Sequence, residues 1–364
     1  MITNKEKYIL SKDITNMIKG IAIILMMTHH FLGFPNWLID GINYPNYKIL
    51  GEDLNVWIRY STKICVALFA FITGYAYYKK NNQTIKYGLK KIVNFLKKYW
   101  TILLLLFLPI VIFVCGRNLN IKTIILNLFA LDKRLITHSW YVYFFIFAML
   151  TLPLLKKISN DNFWHDFIVM IGICTVCYNL LDGADFKYRA IMEDIKTCFY
   201  WMPSVIIGWL VAKYDLFTRI NNVFGKQSKI LDIFMVFLIF GARLKWREII
   251  TINLDIIYAP FMIYFLSKIL NNLHISVIEK ILKFFCKNSL NLWFIHSLFA
   301  KGPTDKIFQP ILYISSNPVI VVIWGILLCI PISILFNYIF KFEDFLGEKI
   351  KKKRNKKFLP DVNK

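Results

Sequence analysis

Met17-Ile-Lys-Gly-Ile-Ala-Ile-Ile-Leu-Met-Met-Thr-His-His-Phe-Leu-Gly-Phe34 is an apolar run broken only by a cation at position 19 and imidazoles at positions 29 and 30. At a rise of about 1.5 Å per residue, eighteen helical residues reach about 27 Å, close to the hydrocarbon thickness of a bilayer. Nine further runs of the same character follow, near 63–78, 92–115, 139–155, 163–181, 198–212, 229–242, 249–270, 281–300 and 318–340. The runs at 198–212 and 229–242 are the shortest. They predict an all-α polytopic membrane protein, a bundle of about ten transmembrane helices. The composition agrees: 57% of the 364 residues are hydrophobic and 18% are charged. Soluble domains are nearer 45–50% apolar and about a quarter charged. An ordinary soluble enzyme, a disordered chain and a disulfide scaffold are thereby excluded.

The net charge of +23 invites a nucleic-acid reading, but its distribution follows membrane topology instead. With the N-terminus placed in the cytoplasm, alternate loops put 30 of the 45 Lys and Arg residues inside and 15 outside. That bias follows the positive-inside rule and predicts that both termini are cytoplasmic, in a multi-pass protein of the plasma membrane. No nucleic-acid partner is needed. The lysines of 79–98 and of the 341–364 tail read as orientation signals beside anionic lipid or, alternatively, as charge that recruits a polyanionic cosubstrate. No small-residue cleavage pattern follows Gly33–Pro35, so the first helix is expected to be retained. Cys174 and Cys177 have CxxC spacing but lie in an apolar helical run, where small packing residues are expected.

Ionisable groups within a span are costly and therefore candidate functional groups. Lys19 and His30 are eleven residues apart, about 20° around the helix axis and about 16 Å along it. One stripe thus carries a cation at the inner rim and an imidazole toward the outer leaflet. His138 begins the fourth run, beside Trp140, and His296 lies toward the outer end of the ninth. Ser289, Trp293 and His296 share a face at i, i+4 and i+7. His30, His138 and His296 are therefore expected in the outer half, from three different helices. Imidazole is suited to general-base work on a hydroxyl. Asp255 is the best intramembrane carboxylate to orient such a base; the alternative for either it or Asp232 is a structural ion pair, a reading that fits Asp232 better. Adjacent His29 and His30 diverge by about 100° and no compact ligand motif is present, so no metal is expected.

These residues resemble acyltransferase family 3, the integral-membrane O-acyltransferases of bacterial glycans. Lys19 and His30 match the family's basic residue, ten-residue gap and histidine. Phe69-Ala-Phe-Ile-Thr-Gly74 is similar to its second-helix aromatics followed by Ser-Gly, with Thr73 in place of serine. His138-Ser-Trp140-Tyr-Val resembles its His-Leu-Trp-Phe-Leu segment. Ser289 through His296 resembles its Ser-x-x-x-Tyr-x-x-His segment, with Trp293 at the aromatic, and Trp201–Tyr214 has the look of its mid-chain helix. Asn16 and Asn94 depart from an acidic residue and an arginine usual in the family. Lys19 in place of arginine keeps charge but not bidentate geometry. The resemblance spans 10–340 as one membrane domain, followed by a basic cytoplasmic tail at 341–364.

The resemblance implies an acyl-CoA donor, usually acetyl-CoA, and a hydroxyl acceptor on a sugar or cell-surface glycan. It implies His30, His138 and His296 as the catalytic set and Lys19, Thr73 and Gly74 on the donor side. Trp140, Ser289 and Trp293 would meet the acceptor. A transporter or flippase for a glycan or lipid-linked sugar is the rival reading, because polar midplane groups and aromatic helices serve transport too.

Overall fold

The computed structural model describes residues 10–80, 84–182, 189–225, 228–246, 253–273 and 275–358. The long helices follow the apolar runs. They are α1 (Lys12–Leu32), a helical pair α2 (Leu54–Thr62) and α3 (Ile64–Tyr78), and α4 (Ile85–Ile102), which continues through π-helical turns at Leu103–Phe107 and Ile110–Val114. Then come α5 (Ile121–Leu128), α6 (Trp140–Ile158), α7 (Phe163–Asp182), α8 (Arg189–Lys213), α9 (Leu216–Phe224), α10 (Lys229–Lys245) and α11 (Asp255–Asn271). The chain closes with α12 (Ser276–Ile295), α13 (Asp305–Leu312) and α14 (Pro318–Phe358). Among the described residues the only sheet is a hairpin of two-residue strands, β1 (Lys48–Ile49) and β2 (Glu52–Asp53). Backbone groups in a bilayer must be satisfied within their own segment, which leaves the helix as the default for an apolar chain.

Among the described residues, six helices are long and apolar enough to cross a membrane: Leu54–Tyr78, Ile85–Val114, Trp140–Ile158, Phe163–Asp182, Ile191–Lys213 and Pro318–Lys351. The chain is a multi-pass helical membrane protein. All ten expected runs contain a helix, but four are less apolar or shorter. Helices α10 and α11 have 17 residues each. Helix α1 carries Asn16, Lys19, His29 and His30, and α12 carries Glu279, Lys280, Lys283 and Lys287. Helix ends also differ from the apolar boundaries, because a helix does not stop where its hydrophobicity does. Helix α4 starts at Ile85, with Ile92 and Phe95 buried while Lys90 and Lys91 stay exposed. The expected tail at 341–364 begins as a continuation of α14, whose Glu343 and Asp344 lie 3.4 and 2.8 Å from Lys97 of α4.

Two close approaches organise the bundle. Helix α3 packs along α8 and α1 packs along α12. A Cβ built on Gly74 would fall 1.9 Å from the Val205 carbonyl oxygen, and one on Gly208 would fall 2.0 Å from that of Phe71. The two glycines therefore face each other's helix backbones, as small residues do at membrane helix crossings. Gly20 does the same for α1, where an added Cβ would lie 2.1 Å from the Leu282 carbonyl oxygen of α12.

Buried ion pairs brace the frame. Asp166 accepts from Tyr214 Oη at 2.6 Å and Lys213 Nζ at 3.0 Å, tying the start of α7 to the end of α8. Lys268 of α11 donates to Asp232 of α10 at 2.8 Å, the structural pair expected for that aspartate. Gly74→Leu should abolish the α3–α8 contact. Gly74→Ala, which overpacks the same spot, should cost about 1–3 kcal/mol. Fluorescence-detected size exclusion and thermal melting in detergent would register both, and an unshifted melt for Gly74→Ala would refute the packing role.

Candidate active site

The site grows from the α1–α12 contact. Helix α1 is capped by Ser11, whose hydroxyl accepts from the Ile14 N–H at 3.2 Å, and closes at Gly33, whose N–H bonds to His29 O at 2.9 Å. From the Gly20–Leu282 crossing, α1 runs ten residues to His30 and α12 runs fourteen to His296. The two helices therefore run parallel and deliver both imidazoles to the same end of the bundle. His138, immediately before α6, enters from the third side. Ring centroids lie 3.9 Å apart for His30–His138, 4.5 Å for His138–His296 and 4.8 Å for His30–His296. The three histidines expected from separate helices form one cluster.

Each ring is held differently. His296 Nδ1–H donates to the Leu292 carbonyl at 3.0 Å, which leaves Nε2 as a lone-pair acceptor. His138 Nδ1 is 2.8 Å from Ser297 Oγ. The Nε2 atoms of both are buried with no hydrogen-bond partner among the described residues. Buried unpaired polar atoms cost about 1–3 kcal/mol each, so their presence marks a site built to receive something. His30 Nδ1 approaches Met26 Sδ at 3.1 Å, and its ring stacks toward Phe34 and Trp37. His29 turns away. Thr62 Oγ1 already donates to Ile58 O at 2.5 Å, so the 3.2 Å contact is His29 Nδ1–H donating to the threonine.

A cavity of about 340 Å³ opens beside the cluster. His29, His30, Lys63, Cys65, Val66, Lys133, Trp140, Asp194, Thr197, Trp201 and Trp293 line it. His30 is the one member of the imidazole cluster on that wall; His138 and His296 stand behind it. Trp293 also donates its indole N–H to the His138 carbonyl at 3.3 Å, so one side chain both walls the cavity and holds the second histidine's backbone. Lys133 pairs with Asp194 across the rim.

The structure therefore brings His30, His138, His296, Trp140 and Trp293 together. Four other residues are not among them. Ser289 is half-buried on α12, about 10 Å along the axis from His296; the serine that touches a histidine is Ser297, directly after the motif. Lys19 is half-buried near Cys286 and Lys91 at the opposite end of α1 and does not line the His30 cavity. Thr73 donates to its own helix at Phe69 O, 2.8 Å, and Gly74 is taken up by the α3–α8 crossing.

Asp255 requires a correction. Both its oxygens are held by Arg243, Nε at 2.6 Å and Nη2 at 2.8 Å, and the guanidinium also donates to the carbonyls of Tyr60 and Ser61. A carboxylate so engaged secures the start of α11 to α2 and orients no histidine. Lys63, Lys133, Asp194 and Trp201 were not singled out from the sequence as site residues, because their lining role is set by how α8, the α2–α3 junction and the segment before α6 meet.

By donor type, three imidazoles whose ligand nitrogens all lie within 4.8 Å of one another could also hold a cation. A tetrahedral zinc site needs nitrogens about 2.0–2.1 Å from the ion. The same lone pairs also suit a hydroxyl donor.

A helical membrane bundle with an imidazole cluster beside an aromatic cavity defines the class. The family model described as an acyltransferase domain matches residues 15–338, and the chain belongs to that family, acyltransferase family 3. It is an acyltransferase of this family. No curated protein and no solved structure matches the chain. Removing one partner of the buried Arg243–Asp255 pair should cost about 3–5 kcal/mol. Asp255→Ala should therefore lower the melting temperature while leaving unchanged the pH profile of turnover by the protein that remains folded. A shifted pH profile would restore the orienting role.

Proposed function

We propose that this chain moves an acyl group, acetyl in the ordinary case, from acyl-CoA to a hydroxyl of a sugar or cell-surface glycan, with His30 as general base. The observation that carries this reading is that His30 alone of the three clustered imidazoles faces the cavity, among Trp140, Trp201 and Trp293. Indole faces of that kind stack against the apolar faces of sugar rings, while the imidazole meets a hydroxyl at the ring edge.

The chemistry then follows from the residues. The acceptor O–H gives its proton to a His30 ring nitrogen as the oxygen attacks the thioester carbonyl carbon. The C–S bond breaks from the tetrahedral intermediate, the ester forms, and the proton passes to the departing thiolate. His296, locked as an Nδ1–H tautomer by Leu292, presents its Nε2 lone pair to the cluster. Together with His138 it packs against the His30 ring, at centroid distances of 4.8 and 3.9 Å.

The charge bias supports ten spans with both termini cytoplasmic, in the plasma membrane. The His30 end of α1 then faces outward and Lys19 faces the cytoplasm, about 16 Å away along the axis. In that orientation Lys19 serves the CoA phosphates as a point charge. The family match favours transfer over transport.

His30→Ala should lower acetyl transfer by about 10²–10⁴-fold, the range for loss of a general base. Lys19→Met should raise the acetyl-CoA KM with a smaller change in kcat. Purified protein with labelled acetyl-CoA and an acceptor glycan tests both. A monodisperse His30→Ala protein with wild-type turnover would sink the mechanism. A zinc chelator should leave turnover intact, and elemental analysis of the active protein should find only substoichiometric metal; loss of activity on chelation, restored by zinc, would replace the base with a metal.

A further inference from the structure

A second cavity, of about 510 Å³, adjoins the first at the same end of the bundle. Arg117, Lys133, Arg134, Thr137 and Lys301 are among its lining residues. Lys133 lines both cavities, so they meet at one side chain. The walls are the loops that carry the histidines. Thr137, one residue before His138, donates its hydroxyl to the Lys301 carbonyl at 2.5 Å, and Lys301 follows the turn that begins at His296. The groove is thus built onto the catalytic frame rather than hung on a separate element.

Its charge is unbalanced. Arg134 is neutralised by Asp132, with Nε to Oδ2 at 2.7 Å. Burial alone would raise the Asp132 pKa, but the Arg134 hydrogen bond outweighs it and holds the carboxyl below its ordinary range. Lys133 is neutralised by Asp194. Arg117 and Lys301 are exposed and have no ion-pair partner among the described residues, and the same is true of Lys63 on the wall of the histidine cavity. Among the described residues that line the second cavity there is no carboxylate. Lys63 instead sits 5.8 Å over the Trp201 ring. Uncompensated cations strung along a groove that leads to a reactive group select for ligands of opposite charge and steer their approach.

Resting on the proposed acyl transfer to a glycan, we infer that the acceptor is an anionic glycan, threaded along the Arg117–Lys301 groove with one sugar hydroxyl presented at His30. The shared recognition chemistry is a repeated negative group on a sugar chain, either a carboxylate or a phosphodiester. Two unpaired cations in the outer groove and Lys63 in the inner cavity set a path for more than one charged unit, so the groove reads an oligomer and not a single residue. Arginine and lysine both serve this purpose, Arg117 by its forked donors and Lys301 as a point charge.

The test uses the full chain in nanodiscs of neutral lipid and fluorescent oligosaccharide probes: oligogalacturonate, its fully methyl-esterified neutral counterpart, and a glycerol-phosphate oligomer. At least one anionic probe should bind about tenfold or more tighter than the neutral ester, with affinity falling as salt rises. Preference for galacturonate or for the phosphate oligomer identifies which anion is read. The double variant Arg117→Gln/Lys301→Gln should lose about tenfold in that affinity, equivalent to about 1.4 kcal/mol. Lys122→Gln removes a charge from neighbouring α5 outside both cavities and should bind as the wild type does. Equal binding of neutral and anionic probes, an equal loss in Lys122→Gln, or competitive displacement of the anion by CoA would each overturn the proposal. Thioester turnover is followed in parallel: transfer to a neutral glycan only would overturn the anionic acceptor and leave acyl transfer standing. Tight anion binding without any thioester turnover would overturn the enzymatic reading and leave the groove standing.

Discussion

The approach of α1 to α12 at Gly20 is the constraint on which the site depends. Without a hydrophobic force between helices in lipid, association rests on van der Waals packing and on small residues that let backbones touch. Gly20 allows that contact at Leu282. Because the two helices run parallel from this point, their histidines arrive at one depth. A side chain at position 20 would push the helices apart, and the ring separations of 4 to 5 Å between His30, His138 and His296 would open with them.

The histidine cluster in turn draws its definition from groups that do no chemistry. Leu292 O fixes the His296 tautomer, Ser297 holds His138, and the Trp293 indole binds the His138 carbonyl while facing the cavity. No carboxylate touches the cluster among the described residues, and the aspartate best placed for that work is bound by Arg243. A base supported by other neutral groups gains orientation and hydrogen-bonding capacity rather than a neighbouring negative charge. The buried lone pairs left over are a stability cost that a functional site retains.

Much of the fold was legible in the sequence because a bilayer enforces a coarse rule. Each apolar run contains a helix, residues 249–252 of one run lying outside the described residues, and Asp232 sits in a buried ion pair with Lys268. The histidines were legible as a set because titratable groups are rare in such runs. Ser289 was misleading for a local reason: it shares a helix face with His296 but lies two turns below it, whereas Ser297 lies beyond the helix end, where periodicity carries no information. Asp255 misled because depth along a helix says nothing of which neighbouring side chain, here Arg243 from α10, reaches it first.

What the sequence determined by itself is the solvent of this protein and the inventory of groups held within it: apolar helices, basic residues spread unevenly between alternate loops, Lys19, dispersed histidines and the carboxylates Asp232 and Asp255. Hydrophobicity and charge act residue by residue and can be summed along a chain. Tertiary structure alone decided that the three imidazoles touch, that His30 takes the cavity wall, that Gly74 meets the backbone of α8, and that unpaired cations lie beyond Lys133. Those outcomes depend on helix crossings and loop meetings between residues up to hundreds of positions apart, set by backbone approach distances of an ångström or two that no local pattern encodes.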